Sequence, residues 1–104
     1  MNIAKMMKQA QQMQKKMGEV QEELASKELE VSVGGGKVVV TGNYAGDVIS
    51  IKIDRAIVDP EDIEFLEDLV LSGVKQAIEQ GKAKSQEEMG KLTAGMGLPP
   101  GLGF

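Results

Sequence analysis

The 104-residue chain contains no cysteine, no histidine and no tryptophan, and its 16 acidic and 12 basic residues leave a formal net charge of -4. Without cysteine there are no disulfides, thiolate metal centres or thiol redox chemistry, and without histidine the commonest general base near neutral pH and the usual transition-metal ligand are missing. One domain is the expectation, because domains typically span about 100 to 150 residues. No stretch resembles a secretory h-region or approaches the roughly 18 apolar residues that cross a bilayer, which predicts a soluble, unexported, cytoplasmic protein with no membrane partner.

The first element is a helix to about Ser26. Ile3, Met6, Ala10, Met13, Met17, Val20 and Leu24 recur three and four residues apart, the a/d spacing of a heptad. This stripe is narrow and Met-rich, which suits packing against a single neighbour. Period two follows, with Leu29, Val31 and Val33 alternating with Glu28, Glu30 and Ser32. Gly34, Gly35 and Gly36 form a three-residue connection to a second strand, "KVVVTG". After the turn "GNYAGD", "VISIKI" sets Ile49, Ile51 and Ile53 on one face and Val48, Ser50 and Lys52 on the other. The spacing predicts a three-stranded antiparallel meander.

Asp59 as N-cap and Pro60 at the first helical position open a second long helix, and Glu61, Asp62 and Glu64 complement its dipole. Ile63, Leu66, Val70, Val74, Ala77 and Ile78 form its apolar stripe, and it either weakens at Gly81 or runs on towards Met89 and Leu92. The fold class is therefore α+β in the order α-β-β-β-α, a single domain over 1–93 with a Gly/Pro-rich tail over 94–104.

Charge is segregated along this order. Residues 1–18 hold Lys5, Lys8, Lys15 and Lys16 and no acid, whereas residues 59–68 hold six acids and no base. Helices of about 35 to 50 Å, at 1.5 Å per residue, must overhang strands of about 20 Å. Connectivity makes the start of the first helix and the end of the second the distal ends, bearing Lys5, Lys8, Lys15 and Lys16 on one and Lys82, Lys84 and Lys91 on the other. Lysines at a helix C-terminus suit the macrodipole, but at a helix start the dipole opposes them. An anionic partner accounts for that mismatch.

Competing motifs fail on their own positions. "GGGK" lacks the Ser or Thr after Lys37 and the earlier glycine of a P-loop, having Val38 and Val31 there, and no helix follows as a dinucleotide fingerprint requires. The carboxylates of "DPEDIEFLED" read as capping and solvated helix surface before they read as Mg²⁺ ligands. No nucleophile and base are paired, so the chain is read as no enzyme, with no catalytic, cofactor or metal site and no small-molecule substrate. Two free sheet edges and helices with narrow stripes predict a homodimer.

From end to end the chain resembles the YbaB/EbfC family of bacterial nucleoid-associated proteins. "MMKQAQQMQKKM" (6–17), "VSVGGGKVVVTGNYAGDVISIKID" (31–54), "LEDLVLSGVKQAIEQ" (66–80) and "GLPPG" (97–101) carry the resemblance in order. It implies a tweezer-like homodimer that binds DNA with its protruding helices and affects nucleoid organisation and gene expression, which matches the charge polarity. The expected partner is double-stranded DNA, held mainly at its phosphates by Lys5, Lys8, Lys15, Lys16, Lys82, Lys84 and Lys91, with Gln12 adding neutral hydrogen bonds. Phe65 is expected in the core and Tyr44 alone in a turn, so there is no stacking platform for single strands. The rival reading is a protein-interaction adaptor that uses the Met-rich helix or the tail and binds no DNA.

Overall fold

The computed structural model describes residues 2–95. Helix α1 (Ile3–Ser26) leads into strands β1 (Glu28–Val33), β2 (Val38–Asn43) and β3 (Val48–Ile53), then a 3-10 turn (Arg55–Ile57) and helix α2 (Ile63–Gly95). The three strands form one antiparallel sheet in the order β1-β2-β3. This is the predicted α-β-β-β-α order. Of the tail predicted over 94–104, Ala94 and Gly95 belong to the end of α2, and residues 96–104 lie outside the described residues.

Local chemistry corrects several boundaries. The β1–β2 connection spans 34–37, one residue longer than predicted, because Gly34, Gly35 and Gly36 all take positive φ (62°, 67° and 86°) and Lys37 closes the turn by donating to the Gly34 carbonyl. Three consecutive left-handed residues need glycine. Between β2 and β3 the register shifts: Thr41 faces Ser50 but Gly42 faces Val48, leaving Ile49 as an extra residue in a β-bulge. Val48 thereby joins the side of Ile51, against the simple alternation expected of "VISIKI".

Asp59 does not cap α2. Its carboxylate accepts from the Glu61 amide at 2.9 Å, making a turn through Pro60, and the cap is Asp62, whose Oδ1 accepts from the Phe65 amide at 3.3 Å. Upstream, Asp54 accepts from the Ala56 amide and pairs with Lys37 at 3.2 Å. The Ala56 amide, then Lys37, hold its carboxyl below its ordinary range.

The core is small. Val31, Val38, Val40 and Ala77 are buried, with Leu29, Val33, Ile57, Leu66, Leu69, Val70 and Val74 packed around them. Helix α2 covers β1 and β2 far more than β3, all six residues of which stay exposed. What lets a helix backbone lie so close to β2 is a stripe of small residues on one face, Gly73, Ala77 and Gly81, four apart. A Cβ on Gly73 would sit 2.7 Å from Val40 Cγ2, and one on Gly81 would sit 2.5 Å from the Asn43 carbonyl oxygen. Gly81 is thus a packing requirement inside a continuous helix, and α2 does not weaken there.

Gly81→Ala should destabilise the protein by about 1 to 3 kcal/mol, since the new methyl meets backbone that cannot swing aside. Gly18→Ala, inside α1 with nothing within 4 Å of its would-be Cβ, should instead stabilise by about 0.5 to 1 kcal/mol through helix propensity. Urea unfolding of the two variants at one protein concentration checks both signs; equal effects would contradict the close-approach account.

Candidate nucleic-acid interface

Helices α1 and α2 run in opposite senses and form an arm beyond the sheet. Lys16, Val20 and Leu24 of α1, with Lys27 just past its end, line one cleft with Glu88, Lys91 and Leu92 of α2. The whole fold is 70 Å long but only about 20 Å across. Along α1 the apolar stripe is covered progressively: Leu24 is buried and Val20, Met17 and Met13 are half-buried, whereas Ile3, Met6 and Met7 are 68%, 54% and 59% exposed.

The arm is anchored at its root by Asn43, a polar side chain only 5% exposed. Its amide nitrogen donates to the Ala25 carbonyl (3.2 Å) at the end of α1 and to Asp47 Oδ2 (3.1 Å). Its Oδ1 accepts from the amides of Ala45 (3.0 Å) and Asp47 (2.9 Å), and the Tyr44 amide donates to the Lys27 carbonyl at 3.0 Å. One side chain therefore ties the β2–β3 turn to the end of α1, directly beneath Gly81. Lys27 reinforces the joint through Glu23 (3.6 Å) and Glu88 (3.5 Å), and its ammonium lies 5.8 Å from the Tyr44 ring centre. Neither Asn43 nor Lys27 stood out in the sequence; their only signal was a turn-forming Asn in "GNYAGD".

The predicted lysines separate into two groups. At about 100° per residue, Lys5, Lys8, Gln12, Lys15 and Lys16 fall within an arc of about 100°, beside the apolar stripe. All five are exposed, and none of the four lysines makes an ion pair among the described residues. Asn2 caps this helix by accepting from the Lys5 amide at 3.1 Å, and its first turn contains no acid. Lys16 shares its cleft with Lys91, so the structure brings these two together across the arm.

Lys82 and Lys84 are not at the tip. Gly81 packs on the β2–β3 turn, so Lys84 stands 6.0 Å from the Tyr44 ring and Lys82 lines a hollow with Ala45, at the root of the arm. Glu87 pairs with both Lys84 (3.6 Å) and Lys91 (3.8 Å), and Glu88 with Lys27. The second helix's end is therefore mixed in sign, while α1's is purely basic. A count of both signs over 82–91 would have revealed it.

The aromatics also differ from expectation. Phe65 is 50% exposed near the start of α2, outside the core, and Tyr44 is half-buried beside two lysines. Neither stands with a second aromatic as a base-stacking platform among the described residues. Among the described residues no group of three or more acids is arranged to hold a metal ion, and no helix is long and apolar enough to cross a membrane.

The described residues thus form a three-stranded sheet backed by one helix and extended into a two-helix arm, with a basic face on α1 that makes no ion pair among them. Residues 1–96 match the YbaB/EbfC DNA-binding family, and the chain belongs to that family. It is 48% identical to a nucleoid-associated protein of Akkermansia muciniphila over the full length of both chains. It is also 50% identical over 98 residues to one of Clostridium perfringens strain SM101, covering 94% of this chain and 88% of that one. The fold is similar to the crystal structure of the uncharacterized protein HP0035 from Helicobacter pylori, with a TM-score of 0.61, 22% identity, and coverage of 84% of this chain and 96% of that one.

Asn43→Ala should cost about 2 kcal/mol or more, because it leaves the Ala25 carbonyl and two turn amides without their partner in a buried site. Thermal or urea unfolding checks the loss. A variant as stable as the parent would show that water replaces those bonds.

Proposed function

We propose that the protein is a homodimer that binds duplex DNA as a component of the nucleoid, gripping phosphates with the lysine face of α1, and that it acts by reshaping DNA and thereby gene expression. The observation that carries this reading is the arc of four exposed lysines on the first half of α1, with no ion pair among the described residues, of which Lys5 stands in the first turn, where the dipole opposes it. Stability alone favours acids there, by about 0.3 to 1 kcal/mol each. A phosphate backbone supplies the missing negative charge, and the released counterions supply the free energy.

The lysine arc spans about 16 Å at 1.5 Å per residue, enough to meet several phosphates of one strand. Gln12 lies within the arc and offers a neutral donor and acceptor to sugar or base edges. Lys91 joins from the facing helix, because an exposed pair such as Lys91–Glu87 is worth at most about 1 kcal/mol and yields to a phosphate. Lys82 and Lys84, at the root, extend the positive surface towards the sheet and contribute less. The overall charge of -4 is no obstacle, since acids such as Glu61, Asp62 and Glu64 cluster at the start of α2, remote from the arm.

The dimer reading rests on β3. Ile49, Ile51 and Ile53 are 40% to 49% exposed along a free strand edge, and Ile53 borders an apolar groove with Leu66, Val70, Leu71 and Val74 of α2. A second copy is the occupant that matches this surface, because a two-fold axis pairs the same apolar patch with itself. Dimerisation doubles the arms and gives DNA two basic faces.

Two measurements test the proposal. Replacing Lys5, Lys8, Lys15 and Lys16 with Gln should flatten the salt dependence of duplex binding, by about 0.9 in log-log slope for each phosphate no longer neutralised, with little change in stability; an unchanged slope would remove the lysine face from the interface. Leu71→Asp, at an exposed position, should leave the protomer folded by circular dichroism and halve the mass in sedimentation. A variant that keeps the parent's mass would place the dimer contact elsewhere.

A further inference from the structure

The distal turns of α1 carry an apolar face that neither the described residues of the protomer nor a phosphate backbone covers. Ile3, Met6 and Met7 are mostly exposed, and with Ala10 they continue the three-four spacing that Met13, Met17, Val20 and Leu24 use against the arm's inner side. On an ideal helix of about 100° per residue the centre of this cluster lies about 180° from the centre of the lysine arc. A duplex lying along the lysines leaves the cluster facing away from DNA.

We propose that this face is a contact between copies of the chain arrayed on DNA, its occupant being the equivalent α1 face of a neighbouring dimer. The inference rests on the lysine face being the DNA-binding surface. Heptad-spaced apolar residues are complementary to a second helix of the same spacing, and a two-fold antiparallel arrangement sets each tip against itself. Both lysine arcs then point outward, each to its own stretch of phosphate, so charge opposes neither partner. Four side chains per copy fall far short of the roughly 20 residues a side in a stable interface, so the contact is negligible between free dimers. DNA changes that by holding copies at high effective concentration. The result is cooperative coating of one duplex or bridging of two.

The cysteine-free sequence gives a direct test. Met7→Cys introduces a single thiol on the apolar face, and Gln12→Cys introduces one on the lysine face. Under mild oxidation the Met7→Cys protein should form disulfide-linked chains on a duplex of several hundred base pairs, and at least tenfold less on a duplex that accommodates one dimer or without DNA. Gln12→Cys should not cross-link under any of these conditions. In parallel, an Ile3→Ser/Met7→Ser double variant should hold its affinity for the short duplex within twofold while its binding to long DNA loses cooperativity.

Equal cross-linking on long and short DNA would make the contact internal to one dimer and overturn the inference, as would cooperativity that survives the double variant. A double variant that loses short-duplex affinity would show that the face touches DNA itself and overturn it too. Failure of the parent protein to bind either duplex would instead refute the DNA reading, and this inference with it.

Discussion

Everything in this protomer hangs on how closely α2 lies against β2. A helix backbone reaches a strand at that distance only where side chains are missing, and Gly73, Ala77 and Gly81 remove them along one face. The contact carries the core, because Val31, Val38 and Val40 close onto the helix there. It also sets the level at which the helix leaves the sheet, directly over the β2–β3 turn. From that point α2 becomes an arm, and α1 comes back along it to join the sheet through Asn43. The geometry of the candidate interface is thus a consequence of three small residues in the middle of a helix that otherwise reads as ordinary.

Charge is distributed to match this skeleton. The acids at the start of α2 cap and stabilise the end of the helix that meets the sheet, whereas the lysines of α1 stand where the helix dipole gives them no support. Along the arm of α2, Glu87 and Glu88 neutralise most of what Lys84, Lys91 and Lys27 bring. One arm helix is therefore a basic face and the other is a strut held by ion pairs. The difference matters for recognition: an unpaired lysine contributes its whole charge to a polyanion, while a paired one must first give up a partner.

Among the described residues, apolar surface is left open at β3 and at the tip of α1, as well as around the start of α2. At β3 the sheet continues past the cover of α2, so its isoleucines and the flank of the helix remain open. At the tip of α1 the stripe outruns the part of α2 that covers it. Large apolar surface on a small protein marks contact sites, and the first two differ in extent. The β3 face is the broader and is flanked by core residues, which suits the dimer contact proposed above; the tip is narrow, which suits the proposed contact between copies already held together.

Periodicity, caps and turn residues by themselves determined the α-β-β-β-α order, the antiparallel sheet and the purely basic start of α1, because each is written in short-range spacing that one segment carries alone. Family-level likeness was equally visible in consecutive motifs. Tertiary structure alone decided what depends on two segments meeting. Gly81 reads as a helix breaker until the Asn43 carbonyl is found beneath it, and Phe65 reads as core until α2 turns Leu66, Val70 and Ala77 to the sheet and leaves Phe65 on its flank, half exposed. Lys82 and Lys84 read as a tip until packing on the turn sets them at the root, and Asp59 yields the cap to Asp62 because Pro60 sits in a turn. Sequence records which groups a segment holds; which of them face each other is fixed by how closely the backbones can approach, and here that distance is set by the glycines of α2.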